Sequence, residues 1–234
     1  MAGHCTVFIT RYRAVLFDMD GVVTDTMPVH LRAWQEAFRP YGVDVEKMDV
    51  YLREGMQSKA MAREIAREKG REFSEGELKK IVEEKGRIFD REAAGHARAY
   101  DGVAATLTML RNNGLKTALV TGSRSASAHK VLQAAGLAGL FDVVVTGDDT
   151  EKGKPDPDPY LKAIEKCGVD RLNCIVVENA PLGIRSAKAA GVDYVIAVST
   201  SLGADYLKEA DEVVDSVAKL EQCLAMRFAA RPAT

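Results

Sequence analysis

Short apolar runs, each stopped by a polar residue and followed by a stretch of helical spacing, recur through most of this chain. Ala14-Val-Leu-Phe17 ends abruptly at Asp18, and later runs cover 117–120, 142–145, 173–177, 194–197 and 212–214. Runs this short and this uniformly apolar read as strands buried on both faces, which is the pattern of a parallel sheet. Helical stretches between them, closed by Asn113-Gly114, Gly136 and Gly191 and opened near Pro157 or Pro159 and at Pro181, supply the crossovers. Asp101 is the expected cap of the first of these helices. The fold class is therefore α/β, a parallel sheet with helices on both faces.

One region breaks the rhythm. Over 27–97 charged and apolar residues mix at helical spacing, as in Leu31, Trp34, Ala37 and Phe38, then Met61 and Ile65, then Leu78, Ile81 and Val82. Gly42, Gly55 and Gly70 divide it, and it contains no strand-like run. The expected organisation is a core built from 1–26 and 98–234 with an all-helical insertion at 27–97. With 234 residues, 47% of them apolar, the chain can bury a full core.

Several function classes fall away on composition. A net charge of -2 offers no field for nucleic acid or an anionic membrane, and the sparse aromatics form no stacking platform. Nothing at 1–10 reads as a signal peptide, and no run reaches membrane-spanning length. Cys5, Cys167, Cys174 and Cys223 are scattered, which suits reduced thiols and a cytoplasmic location better than disulfides or zinc.

Ligands of an open parallel sheet bind beyond the carboxyl ends of its strands. The residues standing there are Asp18 and Asp20, Thr121, Lys154, and Glu178 with Asn179. Each has an ordinary reading by itself. Asp18-Met-Asp-Gly21 makes a turn, Thr121 and Glu178-Asn179 suit helix caps, and Lys154 suits a solvated loop. An EF-hand is excluded, because Gly21 comes too early and Val22-Val23 stand where oxygen ligands belong. Together, three acids, an amide, a hydroxyl and an ammonium at one sheet edge are the equipment of phosphoryl transfer.

Four motifs in order strengthen this reading. Asp18-Met-Asp-Gly-Val-Val-Thr-Asp-Thr26, Val120-Thr-Gly-Ser123, Gly153-Lys-Pro-Asp-Pro157 and Val177-Glu-Asn-Ala-Pro-Leu-Gly183 resemble the four motifs of the haloacid dehalogenase superfamily. The resemblance covers about 13–220 and implies a Rossmann-like core. The insertion resembles the small helical cap of the branch holding phosphoglycolate phosphatases and β-phosphoglucomutases. It implies that Asp18 attacks phosphorus, that Asp20 protonates the leaving oxygen and later activates water, and that Thr121 and Lys154 hold the transferring phosphoryl group. It also implies Mg2+ held by Asp18, the Asp20 carbonyl, Glu178 and Asn179, with backbone amides near Gly122 cradling oxygens. Family members more often carry aspartate where this chain has Asn179, so weaker metal affinity is expected.

Within that branch, a phosphatase acting on a small phosphorylated metabolite, as monomer or homodimer, is the expected function. Thr26-Met-Pro-Val-His-Leu-Arg-Ala-Trp34 resembles a β-phosphoglucomutase segment, including a histidine (His30) that times the acid, so a mutase is the rival. The mutase cap signature ends in arginine, whereas here Gly55-Met-Gln-Ser58 precedes Lys59, a point charge in place of a fork. A dehalogenase has no need of Asp20, and receiver domains are half this length. A non-catalytic binding protein on the same scaffold is the third reading. Substrate contacts are expected from Gly55, Lys59, Gly122, Ser123 and Arg124, with Lys85 and Arg53 as further candidates, and hinges at 25–28 and 95–101.

Overall fold

A computed structural model describes residues 11–220 and 222. Six parallel strands form one sheet in the order β3-β2-β1-β4-β5-β6. They are β1 (Ala14–Phe17), β2 (Lys116–Val120), β3 (Val143–Val145), β4 (Cys174–Glu178), β5 (Tyr194–Val198) and β6 (Glu212–Val214). β1 lies in the middle, with Phe17 opposite Leu119 of β2 and Val177 of β4. The order reverses direction at β1, and the crevice above such a reversal is where ligands enter sheets of this kind.

Side chains alternate across the sheet and divide into two cores. Val15, Phe17, Leu119, Ile175 and Val177 face one side, against Val103, Leu107 and Leu110 of α5 (Val103–Asn112) and Val131 of α6 (Ser125–Ala134). Ala14, Leu16, Ala118, Val120 and Val176 face the other, against Tyr160 and Ala163 of α7 (Asp158–Cys167) and Ile184 of α8 (Pro181–Ala189). Both faces are covered, so the strands read as unbroken apolar runs in sequence.

Between β1 and α5 the chain forms four helices: α1 (Met27–Phe38), α2 (Lys47–Tyr51), α3 (Ser58–Glu68) and α4 (Glu75–His96). They bury a third cluster, with Trp34, Phe38, Ile65, Leu78 and Ile81 at its centre. Trp34 and Phe38 stack one turn apart with ring centroids 5.8 Å from each other. α4 starts at a capping box, in which Ser74 and Glu77 satisfy each other's backbone amides. Its far end, through Ile88, Phe89 and Ala93, joins the core beneath the sheet, as does α1 through Val29 and Ala33, so these two helices tie the insertion to the sheet. Among the described residues, no helix is long and apolar enough to cross a membrane.

Three local expectations are corrected. Asp101 does not cap α5; the N-cap is Gly102, in the left-handed region at φ 89°. Asp142 lies outside β3 because its carboxylate accepts from the Thr117 amide at 2.8 Å and Thr117 Oγ1 at 3.1 Å, tying the end of β2 instead. Asn173 similarly belongs to a 3-10 turn, Arg171–Asn173, capped by Asp170. Cys167 and Cys174 are buried free thiols, pushed up to about 11 and about 12 by burial, so neither is a ready nucleophile. Cys5 and Cys223 lie outside the described residues.

Candidate active site

β1 delivers Asp18, and the turn after it delivers Asp20, both about 1% exposed. Thr121 follows β2, Glu178 closes β4, and Lys154 comes from the loop between β3 and α7. All six residues expected at the sheet edge, Asn179 included, are buried there together. The Lys154 ammonium is the hub. It donates to Asp18 Oδ1 at 2.5 Å, Glu178 Oε1 at 2.7 Å and the Val120 carbonyl at 3.2 Å. Tyr160 adds its hydroxyl proton to Glu178 Oε1 at 2.8 Å, while Glu178 Oε2 accepts from the Asn179 amide at 2.9 Å. A buried charge held this way leaves the cluster little freedom to rearrange.

The two aspartates sit in opposite electrostatic environments. Burial pushes Asp18 up to about 8; Lys154 opposes this, while the charges of Glu178 and Asp20 add to it. Burial would also raise Asp20, but His30, Thr26 and Lys85 outweigh it and hold that carboxyl below its ordinary value. Thr26 Oγ1 donates to Asp20 Oδ1, and Thr121 Oγ1 lies 3.5 Å from Asp20 Oδ2. His30 Nε2 is 3.1 Å from Asp20 Oδ1, at an approach too oblique for a good hydrogen bond. On its other side, Nδ1 is 3.0 Å from Lys85 Nζ. Lysine donating to Nδ1 would leave the ring proton on Nε2, facing Asp20. Burial and then Lys85 hold His30 below its ordinary value, which favours the neutral ring.

Two oxygens at this edge, Asp18 Oδ2 and Asn179 Oδ1, are buried with no hydrogen-bond partner among the described residues. Orphan oxygen acceptors beside a backbone carbonyl, that of Asp20, suit a hard divalent cation. The Asn179 side-chain nitrogen donates to that same carbonyl and to Ser201 Oγ, each at 3.1 Å. The oxygens of Glu178 are instead taken by protein donors. Among the described residues, no three His, Cys, Asp or Glu side chains form a metal cluster, so a site here relies on the carbonyl and the amide.

The helical insertion closes over this edge. Gly55 takes φ 84°, and a Cβ there would come within 2.4 Å of Lys154 Cδ; one on Gly122 would meet the Gly55 carbonyl at 3.0 Å. Behind this contact lies a cavity of about 310 Å3 lined by His30, Glu54, Gly55, Lys85, Ser123 and Arg124. Gly122 lines it too. Lys59, expected to contact substrate, lies outside: its ammonium pairs with Glu75 at the start of α4, 2.5 Å away. Arg53 is likewise spent on Glu64, Glu68 and the Asp49 carbonyl. Sequence reasoning missed Thr26, Tyr160 and Glu54. Thr26 stood in plain view within the first motif; Tyr160 was hidden in the apolar stripe of α7.

The family profile described as haloacid dehalogenase-like hydrolase matches residues 12–191. The chain belongs to that family. It is 34% identical to a phosphorylated carbohydrates phosphatase of Thermotoga maritima, across 81% of this chain and 86% of the relative. It is 31% identical to a fructose-1-phosphate phosphatase of Escherichia coli, across 79% and 96%. A solved structure of β-phosphoglucomutase from Clostridium difficile superposes with a TM-score of 0.83 at 25% identity, covering 93% of this chain and 97% of that one. These relatives place this hydrolase with the phosphate-monoester hydrolases of its family.

Proposed function

We propose that this protein is a Mg2+-dependent phosphatase of small phosphorylated sugars that works through an aspartyl phosphate on Asp18. The observation that carries the reading is the convergence of Asp18, Asp20, Thr121 and Lys154, all buried, at one edge of the sheet. Asp18 lies against Lys154, and Asp20 lies against Thr26, Thr121 and His30. The roles of nucleophile and proton carrier need an ionised Asp18 and a protonated Asp20, the reverse of what burial and His30 favour by themselves. A cation beside Asp18 Oδ2 would lower Asp18 towards its role.

Asp18 attacks phosphorus, the bond to the ester oxygen breaks, and Asp20 gives that oxygen its proton. Water then attacks the phosphorus of the acyl phosphate, Asp20 takes the water's proton, and Asp18 is released as a carboxylate. Lys154 and Thr121 steady the transferring group, and His30 with Lys85 orients Asp20. Asp18 Oδ2, the Asp20 carbonyl and Asn179 Oδ1 would hold the cation, with Glu178 supporting Lys154 beside them. Bound there, Mg2+ supplies charge that offsets the carboxylates and the phosphoryl oxygens. Replacing Asn179 with Asp adds a negative ligand, so Mg2+ binding measured by calorimetry tightens by roughly tenfold; unchanged binding would remove Asn179 from the ligand set.

Residues 27–97 act as the cap. With Asp18 and Asp20 about 1% exposed, the cap must swing away to admit an ester and return to exclude water. The mutase reading has one observation in its favour, the contact of His30 with Asp20, together with the likeness to a β-phosphoglucomutase. Against it, the cap loop brings no cation to the cavity at Lys59, which a second phosphate would need. Phosphorus NMR on β-glucose 1-phosphate with glucose 1,6-bisphosphate separates them: free phosphate supports the phosphatase, and glucose 6-phosphate without it supports the mutase.

A further inference from the structure

The cavity behind the cap loop has lining groups that the reaction itself does not use. Most are already satisfied. Lys85 is engaged with His30, Asp90 accepts from Ser127 and Lys130, and Arg87 is bound to Glu84. Glu54 differs. It is half-buried, lines the cavity, and its carboxyl forms no hydrogen bond or ion pair among the described residues. It immediately precedes Gly55, which packs against the Lys154 side chain and Gly122 at the sheet edge, and this sets it at the inner end of the cavity. Arg124, by contrast, is exposed at the rim.

Position decides what Glu54 would meet. Under the phosphatase reading, on which this inference rests, the ester oxygen leaves beside Asp20. The carbons attached to it must then extend into the cavity past the Glu54 carboxyl. An unpaired carboxyl there costs free energy until something fills its hydrogen-bonding capacity. A hydroxyl can do so, whether the carboxyl is ionised or protonated, because it both donates and accepts. An alkyl group leaves the carboxyl unsatisfied, and a carboxylate adds a negative charge beside three acidic side chains.

We infer that Glu54 is the specificity residue of this site: its carboxyl binds a hydroxyl on the carbon next to the esterified one. The substrates are therefore monophosphates of neutral polyhydroxy alcohols. Esters with a carboxylate at that place, such as phosphoglycolate, are turned away.

Three small esters that differ only at that carbon test the assignment: 2-hydroxyethyl phosphate, propyl phosphate and phosphoglycolate, with fructose 1-phosphate as the reference. The ratios of kcat/KM are compared for the wild type, Glu54→Gln and Glu54→Ala, each checked for folding by its melting temperature. In the wild type, 2-hydroxyethyl phosphate is favoured over propyl phosphate by roughly 10- to 100-fold, the size of one hydrogen bond to a carboxyl. Glu54→Ala shrinks that ratio at least tenfold. Glu54→Gln retains most of it and raises the relative rate on phosphoglycolate. Equal losses on all esters, or unchanged ratios in Glu54→Ala, overturn the role of Glu54 while leaving the phosphatase reading intact. A wild type inert on every ester, fructose 1-phosphate included, overturns that reading and the inference with it.

Discussion

Lys154→Met puts the buried charge cluster to a test of stability that needs no substrate. The ammonium is 2% exposed and lies within 2.5 Å of Asp18 Oδ1 and 2.7 Å of Glu178 Oε1. Methionine roughly fills its volume but leaves two buried carboxyl groups facing each other without a cation. Removing one partner from a buried ionic cluster costs about 3–5 kcal/mol. For a chain of this size, that corresponds to a fall in melting temperature of roughly 6–20 °C. The pH dependence has a definite sign. Asp18 already sits at about 8, above its unfolded value of 3.8, and losing Lys154 raises it further. Wild type and variant both carry the Asp18 proton when folded below about pH 7, so the deficit is nearly constant from about pH 5 to 7. It widens above about pH 8, where Asp18 ionises in the wild type but not in the variant. Thermal melts of both proteins with a chelator present, at pH 8 and pH 5, give the comparison. A variant within about 1 kcal/mol of wild type at pH 8 would refute the reasoning, as would a deficit that grows on acidification.

Three further predictions concern single positions. A Cβ at Gly183 would fall 1.8 Å from Glu178 Oε1, so Gly183→Ala must push that carboxylate off Lys154 and Tyr160, at a cost of about 1–3 kcal/mol in urea unfolding. Gly76→Ala in the first turns of α4, where no atom lies within 4 Å of the new methyl, stabilises by about 0.5–1 kcal/mol. Asp149 is held down to about 2 by Lys166 and by Thr146, below its unfolded 3.8. Its contribution is therefore present above about pH 4 and lost as pH falls towards 2, and after screening at this partly exposed site it amounts to about 1 kcal/mol. Asp149→Asn should be less stable than wild type at pH 7 and nearly equal to it at pH 2.5.

The sheet was legible because its strands are buried on both faces, so each run is apolar throughout and stops where the polar edge begins. Asp18, Asp20, Thr121, Lys154, Glu178 and Asn179 could be named for that reason: each stands directly after a strand or in the loop beyond one. Boundaries were less legible. Asp101 looked like a cap, yet Gly102 alone accepts the left-handed backbone that the entry to α5 requires. The cap loop was the least legible part. Arg53, Glu54 and Lys59 are equally charged in sequence, and only tertiary partners distinguish them. Arg53 and Lys59 find acids on α3 and α4, while the Glu54 carboxyl finds no hydrogen-bond or ion-pair partner among the described residues. Nothing local to the sequence encodes which of the three turns inward.

The central claim is that Asp18 becomes phosphorylated, and trapping that phosphate tests it most directly. The wild type would be mixed with Mg2+ and a fructose 1-phosphate labelled in its phosphate, then quenched in acid within milliseconds. The account predicts protein-bound label that hydroxylamine releases, as an acyl phosphate requires, and none with Asp18→Asn. Full turnover by Asp18→Asn, or a wild type that releases phosphate while never carrying label, would contradict it.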